Sequence, residues 1–193
     1  MVLILGSQSP RRKEILSFFK IPFIQVSPHF DEESVLFDGD PQEYAHGISS
    51  GKSTVLAHTY PDSIILTADT IVYQGNRVYG KPSNSAESFS HLNALVGKWH
   101  SVFTSLTIRS GSEVYQLIEE TRVLFNLLTP DQIRNYHQVL PCTDKAGGYM
   151  IQGAGSIIIN RIEGCYYNVM GMPINALQQL LAKVGIDLWH HLG

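Results

Sequence analysis

At 193 residues, with 44% hydrophobic side chains and a formal net charge of −3, the chain can bury a real core without staples and lacks the basic excess of a nonspecific nucleic-acid binder. Its two cysteines, Cys142 and Cys165, stand in no CxxC or Cys/His zinc spacing, so neither a disulfide framework nor a structural zinc site is indicated, and they read as two small buried thiols in a reducing compartment. No signal-peptide pattern opens the chain and no apolar run approaches the ~20 residues that cross a bilayer, so the sequence predicts a cytoplasmic protein with neither a membrane nor a nucleic acid as partner.

The short apolar run Val2–Gly6 predicts a buried strand. Ser9 is a good N-cap and Pro10 suits the first helical position, so a helix should open there with Ile15, Leu16 and Phe19 on its inner face. Arg11 and Arg12 then fall in the first turn, where cations oppose the helix dipole. An anion would remove that conflict: the hydroxyls of Ser7 and Ser9, free N–H groups and two guanidinium forks would make a phosphate cradle. The alternative is a pair of surface charges on an amphipathic helix.

Pro22–Val26 predicts a second strand, followed by the acidic loop Asp31-Glu32-Glu33, which has no apolar periodicity. Asp40-Pro41-Gln42-Glu43 has the form of a capping box and should open a helix running to about His58. Lys52 lies in that helix, where an exposed, solvated lysine is the commoner outcome. Ser63–Tyr73 predicts a strand, turned by Gln74-Gly75-Asn76 into Arg77-Val78-Tyr79.

Within that strand Asp69 stands out, because a carboxylate among Ile, Leu, Ala and Val is costly to bury without a partner. It is either a metal ligand or general base in a cleft, or a polar residue on an exposed face or tied to backbone donors. Alternation places Thr67 on the same side. Lys81, in Gly80-Lys81-Pro82, could meet a phosphate as a point charge, although a lone lysine in a turn is weak evidence.

A helix is predicted over Ser85–Val96, stopped by Gly97, and a long hairpin over Trp99–Arg109 and Glu113–Leu127. Pro130–Val139 predicts a short helix, Ile157–Ile162 a strand, and Pro173–Val184 a closing helix with Ile174, Leu177, Leu181 and Val184 on one side. Between them lies Asp144–Gly155, whose four glycines let backbone approach a ligand and whose Gln152 offers an amide that can pair with a nucleobase edge. Neither this loop nor Tyr166–Pro173 is specific by itself, and neither meets a Walker or dinucleotide spacing. The eight histidines form no pattern. His190-His191 is read as a disordered tail before a metal site, and no serine sits in a nucleophile elbow. The alternation of elements predicts an α/β fold with a mixed sheet, in one domain or two closely joined lobes.

Taken together, Ser7-x-Ser9-Pro10-Arg11-Arg12-x-Glu14, Ala68-Asp69-Thr70, Gly80-Lys81-Pro82, Asp144-Lys145-Ala146-Gly147 through Gln152-Gly153, and Met170-Gly171-Met172-Pro173 resemble the motifs of the Maf family of nucleoside triphosphate pyrophosphatases across nearly the whole chain. The resemblance implies a single domain over residues 1–193, related in fold to inosine-triphosphate pyrophosphatases: an elongated mixed β-sheet flanked by helices, two lobes around a deep cleft. It implies cleavage between the α and β phosphates with a divalent metal, Mg²⁺ or Mn²⁺, as cofactor.

Position by position, it implies that Asp69 activates water and that Glu32 and Asp69 hold the metal. Ser7, Arg11, Arg12, Lys52 and Lys81 match the phosphate-binding set, joined by Ser9 from the cradle reading. Arg11, Thr70 and Gln152 match the positions of base choice, and arginine and glutamine there resemble the branch acting on dTTP and UTP rather than on 7-methyl-GTP. Gly6 stands where alanine is usual, Gly148 replaces an alanine and Met150 a glycine. A homodimer is also implied. The alternatives are a nucleotide-binding regulator of septum formation without turnover, and a purine-directed enzyme acting on ITP or XTP.

Overall fold

The computed structural model describes residues 2–140 and 142–193. Its strands are β1 (Leu3–Gly6), β2 (Phe23–Val26), β3 (Ile64–Gln74), β4 (Arg77–Tyr79), β5 (Trp99–Ser110), β6 (Glu113–Phe125) and β7 (Ile159–Glu163). The helices are α1 (Pro10–Leu16), α2 (Pro41–Thr59), α3 (Ser85–Leu95), α4 (Pro130–Val139), α5 (Tyr166–Val169) and α6 (Ile174–Lys183). The strands form one sheet in the order β2-β1-β3-β5-β6-β7, with β4 added to β3. β1 pairs parallel with β2 and β3, whereas β3–β4 and β6–β7 are antiparallel, so the sheet is mixed as expected.

The chain divides into two compact units. One holds the residues up to Asp69, Thr104–Glu119 and Gly171–Gly193; the other holds Thr70–Phe103 and Glu120–Met170. In the first, β1 is buried along its whole length and Ile4, Ile65 and Leu56 of α2 pack together. Gly6 has a steric cause, since a Cβ there would stand 2.4 Å from Leu56 Cδ1 and 2.7 Å from Thr67 Cγ2. Thr67 has little freedom to give way: it is fully buried and donates to the Ser49 carbonyl at 2.7 Å.

Two features of this unit differ from expectation. α6 buries Ala176, Leu177, Leu180 and Leu181, so its inner stripe is shifted from the one that includes Ile174 and Val184. The C-terminal segment is ordered rather than loose: Leu188–His191 forms a 3-10 turn capped by Asp187, and Lys20 N–H donates to the His191 carbonyl at 2.7 Å.

In the second unit α3 and α4 cover a core of Val72, Leu92, Leu95, Val102, Val123, Phe125, Ile133 and Tyr136. α4 opens on a reciprocal capping box between Thr129 and Gln132. β7 begins at Ile159 rather than Ile157, because Gly153–Ile158 coils into a 3-10 segment that leaves Ile157 exposed.

His100 is buried in this core against Phe125 and Tyr149, and burial pushes its imidazole pKa down from 6.5 to about 3. The folded state therefore binds fewer protons than the unfolded chain between those values. Stability is fully present above about pH 6.5 and falls as pH drops, by about 1.4 kcal/mol per pH unit for one such group. Burial lowers His46 and His91 as well, in the same direction. Urea unfolding at pH 7 and pH 5 should show a loss on acidification that shrinks in His100→Phe; equal stability at the two pH values would contradict it.

Candidate active site

The first unit collects seven of the candidate residues: Ser7, Ser9, Arg11, Arg12, Glu32, Lys52 and Asp69. β3 pairs with β1 through Thr67 and with β4 from Val72, so Asp69 lies in the stretch between those two ladders. Asp69 is 7% exposed, and α2 brings Lys52 to it, with Nζ 2.8 Å from Asp69 Oδ1. The same Nζ lies 2.8 Å from Glu32 Oε1. Lys52 is thus not the solvated helix lysine that the sequence suggested; it is 5% exposed, and two carboxylates offset the desolvation of its charge.

The sequence of α2 builds this arrangement. Asp40 caps the helix by accepting from the Gln42 and Glu43 N–H groups, and Pro41 occupies its first position. The buried stripe of α2 includes Ser49, Lys52 and Ser53 among Ala45, Ile48 and Leu56. Ser49 Oγ bonds to Ser105 Oγ and Thr107 Oγ1, each at 2.8 Å, and His46 Nδ1 reaches Ser105 Oγ at 2.8 Å. This hydroxyl network fixes the turn preceding Lys52, and the sequence reading missed it because serines and threonines on separate elements carry no joint signal.

Gly47 and Gly51 lie on the same face of α2, one turn apart. Added Cβ atoms would meet Val35 Cγ1 at 3.1 Å and Phe30 Cζ at 2.3 Å. A glycine costs about 1 kcal/mol in a helix interior. Here two of them admit the 30–35 segment, whose 3-10 turn Glu32–Ser34 carries the acidic group. Tyr44, on the same helix, has its hydroxyl pKa raised by burial and by the charges of Asp69 and Glu32.

The Ser7–Arg12 segment is largely self-bonded. α1 is seven residues long, and Ser9 Oγ accepts from Arg12 N–H as its N-cap. Ser7 Oγ accepts from Ser9 N–H and from Arg12 Nη1, both at 3.2 Å. Arg12 Nη1 also donates to the Ala68 carbonyl at 2.9 Å, and Nε to the Gly171 carbonyl at 2.8 Å. Burial pulls the Arg12 guanidinium pKa down, opposed by Asp69. Arg12 therefore fastens the strand beside Asp69 to the Met170–Pro173 turn, a link no local pattern signals.

The second unit carries Thr70, Lys81 and Gln152. Gly147 N–H donates to the Gly80 carbonyl at 3.1 Å, which places the glycine-rich loop beside the Lys81 turn. Gly147 and Gly148 both have positive φ, and a Cβ at Gly148 would stand 2.8 Å from Ser88 Oγ, which accounts for glycine there. Cys142, buried, and Cys165, half-buried, are both present as thiols rather than disulfides.

Residues 2–184 match the family described as Maf-like protein. The chain is 42% identical over 191 residues to the dTTP/UTP pyrophosphatase of Chlamydia caviae, covering 98% of this chain and 97% of that one. It is 39% identical to the dTTP/UTP pyrophosphatase of Clostridium perfringens, covering 97% of this chain and 100% of that one. Among solved structures, the Ham1 protein of Staphylococcus aureus aligns with 100% of this chain and 94% of its own at a TM-score of 0.50 and 13% identity, a likeness of fold alone.

Proposed function

The chain belongs to the Maf family, and on that footing we propose that it is a nucleoside triphosphate pyrophosphatase hydrolysing dTTP and UTP, modified pyrimidine nucleotides included, in the cytoplasm. The products are the nucleoside monophosphate and pyrophosphate, and the consequence is to keep such nucleotides out of nucleic acid. The observation that carries this reading is the trio Glu32–Lys52–Asp69, two carboxylates drawn to one buried ammonium. The relatives' names support the substrate.

Glu32 and Asp69 fit a divalent cation by their chemistry, since both offer hard carboxylate oxygens and one oxygen of each already lies 2.8 Å from a single positive group, the Lys52 ammonium. No cluster of three or more His, Cys, Asp or Glu side chains suited to a metal occurs among the described residues. That donor set suits Mg²⁺ or Mn²⁺, which keep waters and take substrate phosphates as ligands in place of an all-protein cage. When bound, the cation neutralises phosphate charge and lowers the pKa of water.

Asp69 takes the proton as the water oxygen bonds to Pα and the Pα–O bond to the β-phosphate breaks, the bond electrons leaving with pyrophosphate. Arg11, Arg12, Lys52 and Lys81 supply fixed positive charge for the phosphates, with Ser7 and Ser9 shaping the loop. Arg11, Thr70 and Gln152 meet the base.

The test is a panel of dTTP, UTP, CTP, ITP and XTP with Mg²⁺ or Mn²⁺ and identification of products. UTP and dTTP should yield monophosphate and pyrophosphate, and chelation with EDTA should abolish turnover. Diphosphate plus phosphate would refute α–β cleavage, a preference for ITP or XTP would favour a purine-directed enzyme, and tight binding without turnover would favour a nucleotide sensor.

A further inference from the structure

Within the second unit, the four consecutive residues Gly147–Met150, shortly before Gln152, are tied to three parts of the fold: the Gly80 turn, α4 and β5. Gly147 N–H donates to the Gly80 carbonyl, and the Gly148 carbonyl accepts from His137 Nε2 at 2.9 Å. The Tyr149 hydroxyl bonds to His100 Nε2 at 2.9 Å. Met150 is held twice: its N–H donates to the Tyr136 hydroxyl at 3.1 Å, and its carbonyl accepts from that same hydroxyl at 3.1 Å.

Tyr136 also closes the far side of the loop. Its oxygen lies 3.5 Å from the Gly155 carbonyl, and the chain turns so tightly that a Cβ at Gly155 would stand 2.4 Å from Met150 Cγ and 2.5 Å from the Met150 carbonyl oxygen. One buried phenol thus stands at both ends of a six-residue loop with Gln152 inside it, bonded to Met150 and in reach of the Gly155 carbonyl. Gln152 is the N-cap of the 3-10 segment Gly153–Ile158 but does not use its side chain to cap it.

The chemistry of a glutamine amide explains why such a grip matters. Its oxygen accepts and its nitrogen donates, and a half-turn about the last side-chain bond exchanges the two. Uracil presents an N3–H donor beside an O4 acceptor, whereas cytosine presents an N3 acceptor beside an amino donor. A loosely held glutamine can pair with either base. A fixed backbone does not stop that half-turn, but it sets the point from which the amide reaches the base edge, and discrimination requires that this point not wander.

We infer that Tyr136 is a positioning residue for base selection: by clamping Met150 and Gly155 it fixes how Gln152 meets a pyrimidine, with Tyr149 on His100 as the second tie. This rests on the proposed function, in which Gln152 meets the base. Tyr136 acts through Gln152 and is not a catalytic residue.

The experiment compares kcat/KM for UTP and CTP in the unaltered protein, Tyr136→Phe and Tyr149→Phe. Phenylalanine keeps the ring and removes only the hydroxyl. The UTP-over-CTP ratio should fall at least ~10-fold in Tyr136→Phe, with a smaller fall in Tyr149→Phe, mainly through a raised KM for UTP and a CTP rate that holds or rises. A purely structural loss lowers the active fraction and scales both substrates alike, so the ratio would not move. A ratio unchanged in both variants, beside a selective unaltered protein, overturns the inference alone. No turnover of any triphosphate by the unaltered protein overturns the proposed function, and this inference with it.

Discussion

Replacing Asp69 by asparagine is expected to lower UTP turnover by at least ~100-fold, the usual contribution of a positioned general base. The amide keeps an oxygen where Asp69 Oδ1 accepts from Lys52 at 2.8 Å, so the bond between α2 and β3 survives. What disappears is the capacity to take a proton and one of the two carboxylates proposed for the cation. Urea unfolding should stay close to that of the unaltered protein while steady-state turnover collapses. Turnover within about threefold of the unaltered protein would remove Asp69 from the reaction.

The second large effect is expected at Lys52. Lys52→Met has similar length and no charge, and it leaves Asp69 and Glu32 facing each other without the ammonium between them. Breaking a fully buried pair costs ~3–5 kcal/mol. The loss here should be nearer 1–3 kcal/mol, the range for orphaning one buried polar group, because the Glu32 side chain is 41% exposed and can turn to water. Activity should fall further than stability, by two orders of magnitude or more, since the variant also loses fixed charge against the triphosphate. Denaturation and turnover measured side by side decide it; a variant with ordinary stability and ordinary turnover would show the ion pair to be idle.

Much of the fold is written in local signals. α4 occupies the predicted Pro130–Val139, and Ser9, Asp40 and Thr129 each cap a helix where their hydroxyl or carboxylate meets the orphan N–H groups of a first turn. The hairpins follow their Gly75-Asn76 and Gly111 turns, all with positive φ. The misses share a cause. Lys52 resembles a surface lysine because its partners stand on a 3-10 turn and a strand, and a pairing with Asp69 17 residues away leaves no mark on helical periodicity. The run Ile157-Ile158-Ile159 resembles a strand, yet Gly153 and Gly155 let the chain coil through its first two members. The tail His190-His191 looked loose because its anchor, Lys20, belongs to the other end of the sequence. At the candidate site, residue types were legible but the division of labour was not. Arg12 looks like a second copy of Arg11 on paper, whereas its Nε and Nη1 are spent on carbonyl groups of Gly171 and Ala68.

That use of Arg12 bears on the order in which the protein is made. The bond to Ala68 spans 56 residues, and the bond to Gly171 spans 159. A chain emerging N-terminus first can pair β1 with β3 and join Arg12 to Ala68 early, while the guanidinium waits for Gly171 until the C-terminal part of the fold has been synthesised. Closing so long a loop adds little entropy cost beyond that of a shorter one, but it makes completion of the site wait on a residue 159 positions further along the chain. Fragments that stop before Gly171 carry Asp69, Lys52 and Glu32 and still lack the fastening beside them, so a prematurely terminated product would have the residues of the site without its finished frame.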